Sequence, residues 1–151
     1  MSIQASKALK ISDQSGFDFT QEMLAGDVTY GINFDRVQWH SGINRFIIVE
    51  LLLTDENQPW VTPYKSHPNL YFHKNKLKFI RLWELTKKLD ALLFLVNYAK
   101  LGTPHENEVL LILVNDVNQN DVNGNYVKSD DEKLTRAEYS EFFRKLNSKG
   151  R

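Results

Sequence analysis

Glu50 is the residue in this sequence most able to do chemistry. It interrupts Phe46-Ile-Ile-Val-Glu50-Leu-Leu-Leu53, an otherwise continuous apolar run. An ionised carboxylate is costly to bury unless it is paired, hydrogen-bonded or bound to a metal. Two readings of Glu50 stand side by side, a functional carboxylate or a structural one, at a strand end or paired with Arg36 or Arg45, since perturbed carboxylates occur in both settings. Asp35 supplies a companion. It opens an extended stretch, Phe34 to His40, and Ser41-Gly42-Ile43-Asn44 is a turn signal before the Glu50 run. An antiparallel hairpin brings the two stretches within side-chain reach. Two carboxylates on neighbouring strands can hold Mg²⁺ or Mn²⁺, with waters completing the shell. Such an ion activates water and neutralises charge on a phosphodiester.

A basic stretch follows. Lys74, Lys78 and Arg81 recur at i, i+4 and i+7, and Lys65 precedes them. Cations so spaced can hold a phosphate backbone without reading sequence, although a solvated helix face has the same appearance. Lys76 differs because it shares the spacing of Phe72, Phe79 and Trp83. From an aromatic face its ammonium can snorkel to water or reach a buried carboxylate. Asp116-Val-Asn-Gln-Asn120-Asp121 fails as a calcium loop, because positions 6 and 12 are Asp121 and Val127 where an EF-hand needs Gly and Glu. The histidines 40, 67, 73 and 105 show no metal spacing, and no P-loop, nucleophile elbow or dinucleotide fingerprint is present.

The elements that must position these residues follow from periodicity and turn signals. Phe17 to Leu24 reads as a short helix ended by Gly26, and Val28 to Ile32 as a strand. Phe34 to His40 and Phe46 to Leu53 form the hairpin, the second strand apolar on both faces and therefore central. Residues 54–69, with Pro59, Pro63 and Pro68, form a connection. A long helix is expected from Asn69 to Leu89, and strands at Leu92 to Tyr98 and Val109 to Val114. Residues 116–132, dense in Asn and Asp, read as an acidic loop. Thr135-x-x-Glu138 is a capping box that opens a last helix to Asn147. The resulting expectation is a single α/β (α+β) domain over residues 1–151. Its order is αβββαββα, a mixed central sheet flanked by helices, with residues 1–16 loosely held.

The chain has 151 residues, with 19 basic and 19 acidic side chains. The neutral sum hides sorted blocks. Residues 65–88 carry seven basic side chains against Glu84, and residues 105–132 carry seven acids against Lys128. The first block suits a nucleic-acid partner and the second a basic protein partner. The absence of cysteine excludes a disulfide scaffold, a thiol nucleophile and a cysteine zinc site. No apolar run is long enough to span a bilayer and no signal peptide is visible, so a cytoplasmic protein without membrane partners is expected.

Asp35, the hairpin, Glu50 in its apolar strand and the basic helix together resemble the PD-(D/E)XK nuclease superfamily over residues 17–98. Ser66-His-Pro-Asn69 and Lys74-Asn-Lys-x-Lys-Phe also resemble the run after the second catalytic strand of some members. The resemblance implies a restriction-endonuclease-like fold and metal-dependent hydrolysis of DNA. Asp35 and Glu50 would be ligands to Mg²⁺ or Mn²⁺, and Glu22 on the first helix an accessory acid. Lys65, Lys74, Lys78 and Arg81 would contact nucleic acid, and a homodimer would enclose a duplex. The sequence departs from the family pattern at two positions. Leu52 stands where the motif lysine belongs, and Phe34 where the proline does. Some members supply the amine from the following helix, which makes Lys76 the catalytic candidate, with Lys74 and Lys78 behind it. The alternatives are a nuclease fold that binds nucleic acid or protein without cutting, and an ordinary domain in which Glu50 is a structural pair.

Overall fold

The computed structural model describes residues 12–32 and 34–150. The chain divides into an N-terminal unit, Met1–Gly31, and a main unit, Ile32–Arg151. In the first, α1 spans Ser12–Leu24. Ala25 and Gly26 leave it at φ 50° and 92°, left-handed values that glycine adopts freely. Residues 12–16, expected to be loose, belong to α1, and 1–11 lie outside the described residues. Val28 to Ile32 is not a strand. Its residues favour extended backbone, but a strand needs a partner, and here Gly31 N–H bonds back to the Thr29 hydroxyl at 3.1 Å.

The main unit is a mixed α/β layer structure. Its elements are β1 (Arg36–His40), β2 (Arg45–Leu53), α2 (Lys76–Lys88), β3 (Leu92–Tyr98), β4 (Glu108–Val117), β5 (Val127–Thr135) and α3 (Arg136–Ser148). The five strands lie in the order β1-β2-β3-β4-β5. β2 and β3 are parallel, with Glu50 beside Leu95 and Leu52 beside Asn97. The other neighbours are antiparallel. The overall order is thus αββαβββα. It departs from the expected one by the missing strand at 28–32 and by an added strand, β5.

β5 overturns the reading of 116–132 as loop. Only 118–126 is loop, and its Asn and Asp side chains make its turns: Asp121 Oδ1 accepts from the Asn123 and Asn125 amides at 2.9 and 3.0 Å. Lys128 to Lys133 carry no apolar alternation because β5 is an edge strand, anchored by buried Val127 and Leu134 and paired along its length with β4. Charged residues on an edge discourage pairing with other chains.

Two apolar layers sandwich the sheet. On one face Ile48, Leu93, Leu95, Leu110 and Ile112 pack with Phe72 and with Phe79 and Leu82 of α2. On the other, Ile47, Val49, Val96, Val109 and Leu111 pack with Leu146, Tyr139 and Phe142 of α3. The connection before α2 is wound into 3-10 turns at Pro63–Lys65, Pro68–Leu70 and Phe72–Lys74. Two of them begin with proline, whose fixed φ suits a first helical position. The end of α3 is stitched to β1. Gln38 Nε2 donates to Leu146 O at 2.7 Å, Arg36 to Asn147 Oδ1 at 2.6 Å, and Ser41 N–H to Lys149 O at 2.9 Å. No described helix is long and apolar enough to cross a membrane.

The capping box forms as the sequence implies. Thr135 Oγ1 accepts from Glu138 N at 3.1 Å, and the Glu138 carboxylate accepts from Thr135 N at 2.9 Å. Thr135→Ala is expected to cost about 1 kcal/mol. A calorimetric double-mutant cycle with Glu138→Ala should show coupling, because each side chain satisfies the other residue's backbone. Additive effects would exclude the box as a stabilising unit.

Candidate active site

The site is built where β1 begins beside β2. Arg36 pairs with Val49, which puts Asp35 one step further, opposite Glu50. Asp35 Oδ2 accepts the Leu51 amide at 2.7 Å. Its side chain therefore replaces a ladder bond at the point where β1 runs out, and that bond holds the carboxylate at the strand. Glu50 lies on the α2 face between Ile48 and Leu52, because alternate residues of a strand share a face. Its side chain is only 5% exposed.

Lys78 of α2 reaches Glu50 and forms an ion pair with Oε1. The lysine is 36% exposed, so its stem crosses the rim of the layer while its ammonium faces the carboxylate. Burial is the dominant influence on Glu50 and pushes its carboxyl above the ordinary value of 4.5. Lys78 pulls it back by hydrogen bond and charge, and Asp35 raises it again by like charge and by accepting from the protonated form. With both carboxylates ionised nothing donates between them, and Glu50 Oε2 is buried without a partner.

That orphaned oxygen, next to a second carboxylate, fits a divalent cation. Mg²⁺ is commonly held by one or two carboxylates with water and phosphate oxygens. Among the described residues no group of three or more His, Cys, Asp or Glu side chains converges, so an ion here would rest on Asp35 and Glu50.

The other expected residues are placed as follows. Lys76 does not reach Glu50 and is exposed. The spacing from Phe72 misplaces it, because Phe72 sits in a separate 3-10 turn and α2 begins only at Lys76. Counting from the buried Phe79 and Leu82 puts Lys78 at the rim of the packed face, which is the signal that identifies it. Lys65 and Lys74 are exposed and have no ion-pair partner among the described residues. Arg81 is held by Glu84 at 2.7 Å, which lowers the pKa of that glutamate and diverts Arg81 from the proposed phosphate stripe. Neither Arg36 nor Arg45 pairs with Glu50. Arg36 bonds Gln38 and Asn147, and Arg45 bonds the Asp90 and Ala91 carbonyls. Glu22 is exposed on α1 in the separate N-terminal unit.

A second polar cluster has the composition of a hydrolase triad but the wrong proton order. His67 Nδ1 accepts from the Asn69 amide at 3.1 Å, so the neutral ring carries its proton on Nε2, 2.9 Å from Ser129 Oγ. Ser129 in turn donates to Asp131 at 2.6 Å. The imidazole cannot take the serine proton, as a general base must. Burial lowers the His67 pKa and keeps the ring neutral. The cluster ties the proline-rich connection to β5. His40, His73 and His105 also have local partners.

No protein-family model, no curated protein and no solved structure matches this chain.

Because the Glu50 pKa is raised, its contribution to stability is most favourable below about 4.5 and declines as pH rises through the higher folded value. Glu50→Gln removes that decline. In EDTA its Tm at pH 7 is expected to equal the parent's or exceed it by roughly 2–4 °C, with the difference closing near pH 4. A lower Tm at pH 7 would make the Glu50–Lys78 pair a net stabiliser and count against a strained functional carboxylate.

Proposed function

We propose that this chain is a metal-dependent nuclease-like protein that hydrolyses DNA phosphodiester bonds, on a restriction-endonuclease-like sheet. The observation that carries the reading is the meeting of Asp35, Glu50 and Lys78 at one point of the β1–β2 hairpin. One carboxylate there is buried and under-partnered. Structural ion pairs seldom leave a carboxylate oxygen buried without a donor, because that costs the full desolvation of the group. The parallel β2–α2–β3 unit supports the reading by placing the helix amine over the strand carboxylate.

In this reading Asp35 and Glu50 hold Mg²⁺ or Mn²⁺. The ion, when bound, activates water and offsets charge on the scissile phosphate. Lys78 stands in for the amine missing at Leu52. It neutralises Glu50 in the resting protein and can turn toward a phosphate oxygen, since its side chain is partly exposed. Lys65, Lys74 and Lys76 supply sequence-independent backbone contacts. Nothing in the chemistry needs an oxidising compartment, in keeping with a cytoplasmic protein.

One observation favours a second reading, a nuclease fold that binds without cutting: Lys78 already occupies Glu50 Oε1. The same experiment separates the two. Plasmid and single-stranded DNA are incubated with the full chain in Mn²⁺ or Mg²⁺, and cleavage is followed on gels. Cleavage should vanish in EDTA and fall by roughly 100-fold or more in Asp35→Asn, Glu50→Gln and Lys78→Met. DNA binding should lose about one unit of salt slope for each of Lys65→Ala and Lys74→Ala. Salt-dependent binding without metal-dependent cleavage would establish the second reading. Cleavage indifferent to Glu50→Gln would remove the site altogether.

A further inference from the structure

A cleft of about 310 Å³ lies beyond Glu50, at the carboxyl ends of the parallel strands β2 and β3. That volume falls at the lower end of the roughly 300–1,000 Å³ usual for small-molecule sites. Ligands of open α/β sheets commonly bind at such strand ends. Leu52 forms one wall, and it is also the next residue after Glu50 on the same face of β2, roughly 7 Å along the strand. Leu53, Val61, Leu70 and Tyr71 complete an apolar lining.

The floor is polar in a specific way. Asn97 is 1% exposed, one of few polar residues inside the apolar layer. Its Nδ2 donates to Pro63 O and Ser66 O at 3.1 and 2.9 Å. Two carbonyl acceptors fix which end of the amide is nitrogen. Its Oδ1 is consequently an acceptor with no donor, and Thr54 Oγ1 beside the same cleft is also buried without a partner. A buried acceptor left unmade is expensive, and Asn97 is among the residues that line the cleft. Lys65 and Lys74 stand at the cleft without ion-pair partners among the described residues. Asp55, also at the cleft, is occupied in its own turn by the Asn57 amide at 2.8 Å.

We infer that this cleft takes one nucleotide of the substrate, its base between the apolar walls, an N–H of the base directed to Asn97, and its phosphate at Lys65 and Lys74. Each part of the lining answers one part of that ligand. A planar apolar body fills the walls, a donor edge satisfies the floor, and an anion meets the two ammonium groups. A base can enter such a cleft only when it is out of the stack, so the inference specifies single-stranded, frayed or flipped nucleotides. The choice of a nucleotide over another amphipathic anion rests on the nuclease reading above.

The test is a titration of the full chain in EDTA, followed by amide NMR. The probes are the four deoxynucleoside 5′-monophosphates and inorganic phosphate. The monophosphates are expected to bind saturably, to shift Leu53, Thr54, Ser66, Tyr71 and Asn97, and to bind about ten-fold or more tightly than phosphate. Leu70→Glu puts a carboxylate at the cleft on a residue 75% exposed. It should weaken binding about ten-fold or more by repulsion. Leu77→Glu, the same change on an exposed residue of α2 that does not line the cleft, should leave binding unchanged. No saturable binding, equal affinity for phosphate alone, or indifference to Leu70→Glu would each overturn the inference. Because no metal or turnover is involved, binding can persist when cleavage fails, and cleavage that depends on Glu50 can persist when the cleft proves empty.

Discussion

One carboxylate sets the terms for this side of the sheet. Glu50 sits between Ile48 and Leu52 and beside Leu95 in a mainly apolar layer, and such a position tolerates a charge only with compensation close by. Lys78 provides it from α2 and Asp35 complicates it from β1. Three elements are thus tied to one another through a single side chain. Replacing Glu50 and Lys78 together by hydrocarbon of similar volume would remove the buried charge from the layer. Glu50 and Asn97, each with an unmet oxygen, lie two register positions apart on neighbouring strands.

Much of the fold was legible because burial writes a pattern. β2, β3 and β4 are apolar runs, the 41–44 turn carries Gly and Asn, and the Thr135–Glu138 box announces α3 at its first residue. What stayed hidden lacked that pattern. β5 reads as acidic loop because an edge strand exposes its side chains and is held by backbone bonds that any residue can make. Val28 to Ile32 has the opposite fault, strand-forming side chains with no neighbouring strand to bond.

The site was half legible for related reasons. Glu50 is visible as a charge inside an apolar run, and Asp35 as an acid on the strand that the hairpin brings beside it. In the sequence Lys78 stands only behind Lys76 as the amine nearest Glu50, since that choice depends on where the helix starts, and the 3-10 turns before Lys76 change the phase of the spacing. Asn97 gives a faint signal as a polar residue inside Leu92–Tyr98. Its meaning depends on which strand it borders and on carbonyls 34 and 31 residues earlier in the chain. Long-range adjacency of that kind has no local trace.

The stitching of α3 to β1 has a consequence for how the protein comes into being. The bonds from Arg36 and Gln38 span 111 and 108 residues of chain. Synthesis proceeds from the N-terminus at roughly 5–20 residues per second, so the strand that follows Asp35 leaves the ribosome well before its anchors exist. The bonds that tie β1 to α3 form only once that helix has been made and has docked. A nascent chain that has not yet reached α3 therefore holds the hairpin without the three bonds that anchor its outer strand.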